Sequence, residues 1–166
     1  MALDEATIRA FLEDEYPQLV AAVTLASGSR AAAEDAVCEA LSRAWERSER
    51  GERIESLGAW VTTVAMNLVR SRWRRILAER RARARMDPPR REPPDAEAAL
   101  DLRRALAGLS SRQREVVVLR YYLGHDVGEV ARLLAVSEGT VKTTLHRARR
   151  SLARTLGARE DDVVGS

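Results

Sequence analysis

The sequence predicts an all-α protein made of two small helical domains joined by a proline-rich flexible linker. Apolar residues recur at helical spacing through most of the 166 residues, and no stretch alternates apolar and polar residues as a strand does. Four of the five prolines lie between residues 86 and 95, where the apolar pattern stops. We therefore expect domains at residues 1–85 and 96–157, a linker at 86–95 and a frayed tail at 158–166.

Charge is distributed unevenly along the chain. Residues 1–50 carry five arginines against ten acidic residues, although the whole chain has a net charge of +3. Residues 70–91 carry ten arginines against two acidic residues. An acidic front and a basic remainder indicate two different partners, one of them nucleic acid.

Composition and motifs exclude several classes of function. Cys38 is the single cysteine and His125 and His146 are the two histidines, so an intramolecular disulfide and a Cys/His zinc cluster are both excluded. The sequence has no glycine-rich phosphate loop, nucleophile elbow or HExxH motif, and we expect no enzyme, no cofactor and no metal. It also has no signal-peptide h-region and no apolar run that could span a bilayer, which predicts a cytoplasmic protein without membrane insertion.

Three helices are predicted in the front half. The first covers about residues 6–26 and is kinked or divided by Pro17. The second covers residues 30–47, with Trp45 and Cys38 in its apolar pattern, and a polar loop at 48–55 follows. The third runs from about residue 56 to residue 85 and turns basic after its first half.

The basic part of the third helix has two interpretations. Arginines interleaved with Trp73 could neutralise phosphates while the indole stacks on an unpaired base. Alternatively, the tryptophans Trp60 and Trp73 belong to the core and the arginines form a solvated face.

The rear half predicts two helices, at about residues 96–107 and 110–123, and then a helix-turn-helix. Apolar residues at helical spacing mark one short helix near residues 127–134 and one side of a longer helix from residue 138 onward. Ser137 lies between them and is suited to cap the second helix. Polar side chains near the start of that helix could reach base edges and its later arginines could bind phosphates. A helical hairpin with a solvated basic face is the alternative.

Together these segments resemble the bacterial extracytoplasmic-function (ECF) RNA polymerase sigma factors. AEDAVCEALSRAW at residues 33–45 resembles the polymerase-binding helix of the family's second region. AWVTTVAMNLVRSRWRR at 59–75 resembles the segment that opens the promoter and reads the minus-ten element. Residues 109–152 resemble the fourth region, which reads the minus-thirty-five element. The pair, in this order, is what is specific to sigma factors.

The resemblance implies three groups of site residues. Those expected at the minus-thirty-five element are Ser137, Glu138, Gly139, Thr140, Lys142, Thr143, His146, Arg147, Arg149 and Arg150. Those expected at the minus-ten element are Arg53, Trp60, Asn67, Arg70, Arg72, Trp73, Arg74 and Arg75. Those expected to contact polymerase are Glu34, Asp35, Glu39 and Arg43.

The implied function is that of an alternative sigma factor, which binds core RNA polymerase, recognises both promoter elements and promotes DNA melting. The implied partners are core RNA polymerase, promoter DNA and an anti-sigma factor, with no small-molecule substrate. Two other functions fit parts of the sequence. A free-standing helix-turn-helix regulator would use the front domain to sense a ligand or to dimerise. An interaction protein of the adaptor kind would leave the arginine clusters unexplained.

Overall fold

The computed structural model describes residues 3–83 and 97–163. Within these ranges the chain forms α-helices and one π-helical turn and contains no strand, which confirms the all-α prediction. The elements in order are α1 (Glu5–Asp14), α2 (Tyr16–Ser27), α3 (Arg30–Glu49), α4 (Leu57–Arg83), α5 (Glu97–Ala107), α6 (Ser111–Val117), the π turn (Val118–Tyr122), α7 (Val127–Leu134) and α8 (Glu138–Val163). The predicted linker at residues 86–95 lies outside the described residues.

Helices α1 to α4 form the front unit, in which α3 packs against both α2 and α4. Pro17 lies in the first turn of α2, so the first predicted helix is divided rather than kinked. The buried face of α3 is built from small side chains, with Ala33, Ala40 and Ala44 fully buried. Small residues at these positions allow close helix–helix approach.

Capping residues fix the helices of the rear unit. Ser110 and Asp126 begin α6 and α7, and each forms a reciprocal capping box with the third residue of its helix. Ser137 Oγ accepts a hydrogen bond from the Thr140 amide at 3.1 Å, as predicted for a cap of α8. Between α7 and α8 the chain turns at Ala135, which has a φ of 52°.

The two units contact each other through apolar side chains. α6 and the π turn pack against α2, and α7 contacts α4. Val116 and Leu119 of the rear unit belong to the same apolar cluster as Val23 and Met66 of the front unit. The rear unit is thus held against the front unit by a shared core.

Several sequence predictions about individual residues are wrong. Trp45 is 39% exposed, because the contacts of α3 are made by its alanines and leave the indole at the rim. Cys38 is exposed, since the neighbouring Val37 occupies the buried position. Residues 158–163, predicted as part of a frayed tail, continue α8 to Val163. Gly157 lowers helix propensity there by about 1 kcal/mol, which is too little to end a long helix.

Replacing Ala135 by glycine should stabilise the protein. A left-handed backbone costs a non-glycine residue roughly 1–2 kcal/mol, while glycine adds about 0.4–1 kcal/mol of unfolded-state entropy. We expect Ala135→Gly to raise the free energy of unfolding by about 0.5 kcal/mol, measured by urea denaturation. Ala153→Gly, at an exposed helical position of α8, is the matched control and should lower it by about 1 kcal/mol. Equal losses in both variants would contradict the strain at Ala135.

Candidate nucleic-acid interface

The residues predicted to contact the minus-thirty-five element lie on the exposed face of α8 and at Ser137, which caps it. Val141, Leu145 and Ala148 are buried and fix the rotation of α8 about its axis. The remaining side chains of its first turns therefore point outward. Exposed are Ser137, Glu138, Gly139, Thr140, Lys142, Thr143, His146, Arg147, Arg149 and Arg150.

Interactions on this face leave its polar groups available to a ligand. Lys142 Nζ lies 3.8 Å from a Glu138 carboxylate oxygen, and both side chains are more than half exposed. Such surface pairs contribute about 0–1 kcal/mol and exchange readily for another partner. The Thr143 hydroxyl donates to the Gly139 carbonyl at 2.9 Å, which leaves its oxygen able to accept.

Arg149 has a partner that sequence analysis missed. Its Nε and Nη2 both donate to the hydroxyl of Tyr121, with an Nε–oxygen distance of 2.8 Å. Arg149 and Arg120 each place a guanidinium carbon within 6 Å of the Tyr121 ring centroid. The one sequence signal was a pair of adjacent tyrosines, Tyr121 and Tyr122. Both lie in the π turn, and Tyr122 is 41% exposed.

A second candidate surface lies on α4 and the loop before it. Arg53, Asn67, Arg72, Arg74 and Arg75 are exposed there, as a nucleic-acid contact requires. Trp60 is half-buried and packs against the apolar cluster, which agrees with the core interpretation of this residue. The side chain of Trp73 lies outside the described part of the structure.

Arg70 differs from the other α4 arginines because it faces the rear unit. Its Nε and Nη2 donate to the two carboxylate oxygens of Glu115, both at 3.1 Å. Arg112 Nη1 donates to the same carboxylate at 3.2 Å, and Glu115 is only 5% exposed. Glu115 comes three residues after Arg112 and four before Leu119, so helical spacing could have predicted that it faces inward.

Arg114 lies next to this cluster and is half-buried. Its Nη2 donates to the Leu109 carbonyl at 3.3 Å, whereas its Nε is buried and has no hydrogen-bond partner. Burial lowers the pKa of Arg114, and the neighbouring Glu115 partly offsets the shift. A Cβ placed on Gly28, at the end of α2, would lie 3.8 Å from Arg114 Nη1. The guanidinium therefore sits near the negative end of the α2 dipole.

The residues predicted to contact polymerase lie on α3 in exposed ion pairs. Glu34 pairs with Arg30 and Glu39 pairs with Arg43, each at 2.8 Å. Asp35 lies 3.6 Å from Arg72 of α4, so a predicted polymerase contact and a predicted DNA contact are neighbours.

Tyr16, at the start of α2, adjoins this side of α3. Burial raises the pKa of the Tyr16 hydroxyl, and the neighbouring Cys38 and Glu34 raise it further. The hydroxyl is therefore neutral at physiological pH.

In the described residues, no group of His, Cys, Asp and Glu side chains is arranged to hold a metal ion. No helix in the same ranges is both long and apolar enough to cross a bilayer. A cavity of about 60 Å³ between α4 and α6, beside Arg70 and Glu115, is far below the volume of roughly 300 Å³ or more that small-molecule sites occupy.

Comparison with known proteins gives matches in both units. Residues 11–79 match the Sigma-70 region 2 family, and residues 99–152 match the Sigma-70, region 4 family. The chain is 35% identical over 165 residues to the ECF RNA polymerase sigma factor SigL of Mycobacterium tuberculosis, covering 93% of this chain and 92% of SigL. It is 32% identical over 143 residues to SigM of the same species, covering 86% of this chain and 73% of SigM.

The structure also resembles a solved one. The sigma factor RpoE of Bartonella quintana, crystallised in complex with the anti-sigma factor NepR, matches with a TM-score of 0.71 and 26% identity. The match covers 93% of this chain and 98% of that one, so both helical units are included.

Removing the Glu115 carboxylate should destabilise the protein more than removing an exposed carboxylate. In Glu115→Ala, Arg70 and Arg112 lose a buried acceptor, and we expect a loss of about 2–3 kcal/mol in the free energy of unfolding. The measurement is urea denaturation followed by circular dichroism. Glu46→Ala is the matched control, because its pair with Arg50 is exposed and should be worth less than about 1 kcal/mol. A loss at Glu115 no larger than that at Glu46 would contradict the stabilising role.

Proposed function

Because the chain belongs to the ECF RNA polymerase sigma factors, we propose that it binds core RNA polymerase, recognises minus-thirty-five and minus-ten promoter elements and promotes promoter melting. Members of this family are DNA-binding transcription initiation factors and not enzymes. The observation that carries the proposal is the exposed polar and basic face of α8, presented by a helix-turn-helix in the same chain as the arginine-bearing α4.

At the minus-thirty-five element α8 would enter the major groove. In helix-turn-helix proteins the N-terminal residues of the second helix contact base edges. Lys142 and Thr143 occupy such positions: an ammonium group can donate to guanine O6 and N7, and threonine can contact a base edge or a thymine methyl group. Arg147, Arg149 and Arg150 follow on later turns and would bind phosphates, which fix the register of the helix on the duplex.

At the minus-ten element the loop before α4 and the exposed side of α4 would act on separated strands. Arg72, Arg74 and Arg75 would hold the backbone of one strand, while Arg53 and Asn67 would lie near an unpaired base. Capture of a flipped base shifts the duplex equilibrium towards the open form without any chemical step by the protein.

Arg70 can offer its Nε–Nη2 edge to a strand only after a rearrangement. The N–H groups of Nε and Nη2 both donate to the carboxylate of Glu115. A phosphate held by this edge would replace that carboxylate, so forked binding of a phosphate by Arg70 requires α4 and α6 to separate. Binding to polymerase would supply the opportunity, because the two promoter elements lie far apart on DNA and the two units must spread to reach both.

The partners follow from the same proposal. Core RNA polymerase would contact the acidic side of α3 through Glu34, Asp35, Glu39 and Arg43. RpoE, the structural neighbour, forms a complex with an anti-sigma factor. We infer that an anti-sigma factor also controls this chain, and that all of these encounters occur in the cytoplasm.

Run-off transcription tests the proposal directly. Core RNA polymerase is combined with this protein on a library of promoter fragments from its own genome, and the transcripts are sequenced. The proposal predicts discrete transcripts whose start sites share two upstream motifs. No transcripts, together with no co-elution of the protein with core polymerase, would instead favour a free-standing regulator.

Two substitutions on α8 should have different effects on promoter binding. Arg147→Ala should weaken binding by a similar factor on all promoter variants and reduce the salt slope by roughly 1, because a phosphate contact is lost. Lys142→Ala should change base preference within the upstream motif by about 1–3 kcal/mol. Filter binding of the reconstituted holoenzyme to single-base promoter variants measures both. Arg9→Ala, on the exposed side of α1, is the control. Equal losses on every variant for Lys142→Ala would contradict its assignment to base reading.

A further inference from the structure

Tyr121 is hydrogen-bonded to Arg149 of α8, which lies 28 residues later in the sequence. The residue is 53% exposed, and its hydroxyl accepts hydrogen bonds from Nε and Nη2 of Arg149. The guanidinium carbons of Arg149 and Arg120 lie 5.7 Å and 5.8 Å from the ring centroid. An exposed phenol therefore lies against two cations at the edge of α8.

The π turn is what brings Tyr121 to this position. The Leu123 amide donates to the Val118 carbonyl at 3.1 Å, a hydrogen bond that spans one residue more than an α-helical one. The wider turn shifts the side chains that follow α6 around the helix axis. Such π-helical turns occur frequently at functional sites, and an ordinary helix would not be expected to aim this side chain at α8.

The remaining hydrogen-bonding capacity of the pair is on the exposed side. A tyrosine hydroxyl that accepts from arginine keeps its own proton for donation. Arg149 keeps the N–H groups that Tyr121 does not engage. A hydroxyl partner also does not neutralise the positive charge of the guanidinium. An anionic acceptor with more than one oxygen complements these donors and this charge, and the phosphates of a DNA backbone are acceptors of that kind.

We propose that Tyr121 and Arg149 form one phosphate-binding site at the edge of α8. The Tyr121 O–H and an Arg149 N–H donate to the same backbone phosphate of the upstream promoter duplex. The proposal rests on the function proposed above. Its position supports a phosphate rather than a base, since Arg149 follows the base-reading turn of α8 by nearly two turns. Arg120 adds positive potential at the same place without a hydrogen bond to the hydroxyl.

The experiment compares variants of the full chain assembled with core RNA polymerase. The probe is the duplex that wild-type holoenzyme selects from a randomised promoter library, and affinity is measured between roughly 50 and 200 mM salt, a range over which phosphate contacts make affinity fall steeply. The variants are Tyr121→Phe, Arg149→Ala and the double variant. Tyr122→Phe is the matched control, because it removes a hydroxyl from the neighbouring exposed tyrosine. Thermal denaturation of each variant checks that the fold is unchanged.

We expect Tyr121→Phe to weaken binding by about 5- to 10-fold with an unchanged salt slope, because a neutral donor is lost. Arg149→Ala should weaken binding at least as much and make the slope shallower by about 0.9, since one cation is lost. The double variant should bind within about twofold of Arg149→Ala, because the two groups act on one phosphate. Tyr122→Phe should bind as the wild type does.

Three outcomes would overturn the shared site. Wild-type affinity in Tyr121→Phe would show that the hydroxyl makes no contact. A salt slope in Tyr121→Phe that is as shallow as in Arg149→Ala would show that the hydroxyl only positions the arginine. Independent losses in the double variant would show two separate contacts. Failure of wild-type holoenzyme to select any duplex would instead overturn the proposed function, and the phosphate site with it.

Discussion

The carboxylate of Glu115 is the point at which the two helical units are tied together. It is nearly inaccessible to solvent and accepts hydrogen bonds from Arg70 of α4 and Arg112 of its own helix. A carboxylate buried without such donors would cost several kcal/mol, so α6 can pack here only while guanidinium groups surround this side chain. The position of α6 in turn sets the π turn and, through their shared core, the orientation of α8. A charge interaction in the interior therefore determines where the exposed face of α8 points.

Apolar packing would hold the units together less specifically. α2 contacts α6 and the π turn, and the apolar cluster that these elements share consists of side chains such as Val23, Val116 and Leu119, whose attraction is not directional. The guanidinium of Arg70 engages both oxygens of Glu115, a forked geometry that fixes direction as well as distance. The interface thus combines apolar area with an ion pair that selects a particular arrangement.

Sequence periodicity predicted most of the fold and the exposed face of α8, because it reports which side of a regular helix is buried. It fails where a helix is irregular or where a contact joins distant segments. The alternation of Val141, Leu145 and Ala148 with charged residues reports which side of a regular helix is buried, and the capping role of Ser137 depends on local chemistry alone. Tyr121 was missed because the π turn breaks the regular spacing on which such a prediction rests. The pairing of Glu115 with Arg70 was missed because Arg70 is 45 residues away in sequence. Interactions between distant segments leave no periodic signal.

The closed arrangement and the proposed function can be reconciled by comparing free energies. The Arg70–Glu115 contact is worth a few kcal/mol at most, since Arg70 remains about one-fifth exposed and can be rehydrated when the contact opens. A complex with nanomolar affinity supplies about 12 kcal/mol, which exceeds this cost even after apolar surface between the units is exposed again. Opening would also return the Arg70 guanidinium to the α4 surface that already carries Arg72, Arg74 and Arg75. The Arg70–Glu115 ion pair, which holds the two units together in the free protein, is therefore weak enough for polymerase binding to break. Breaking it adds the Arg70 cation to the surface where a DNA strand is expected to bind.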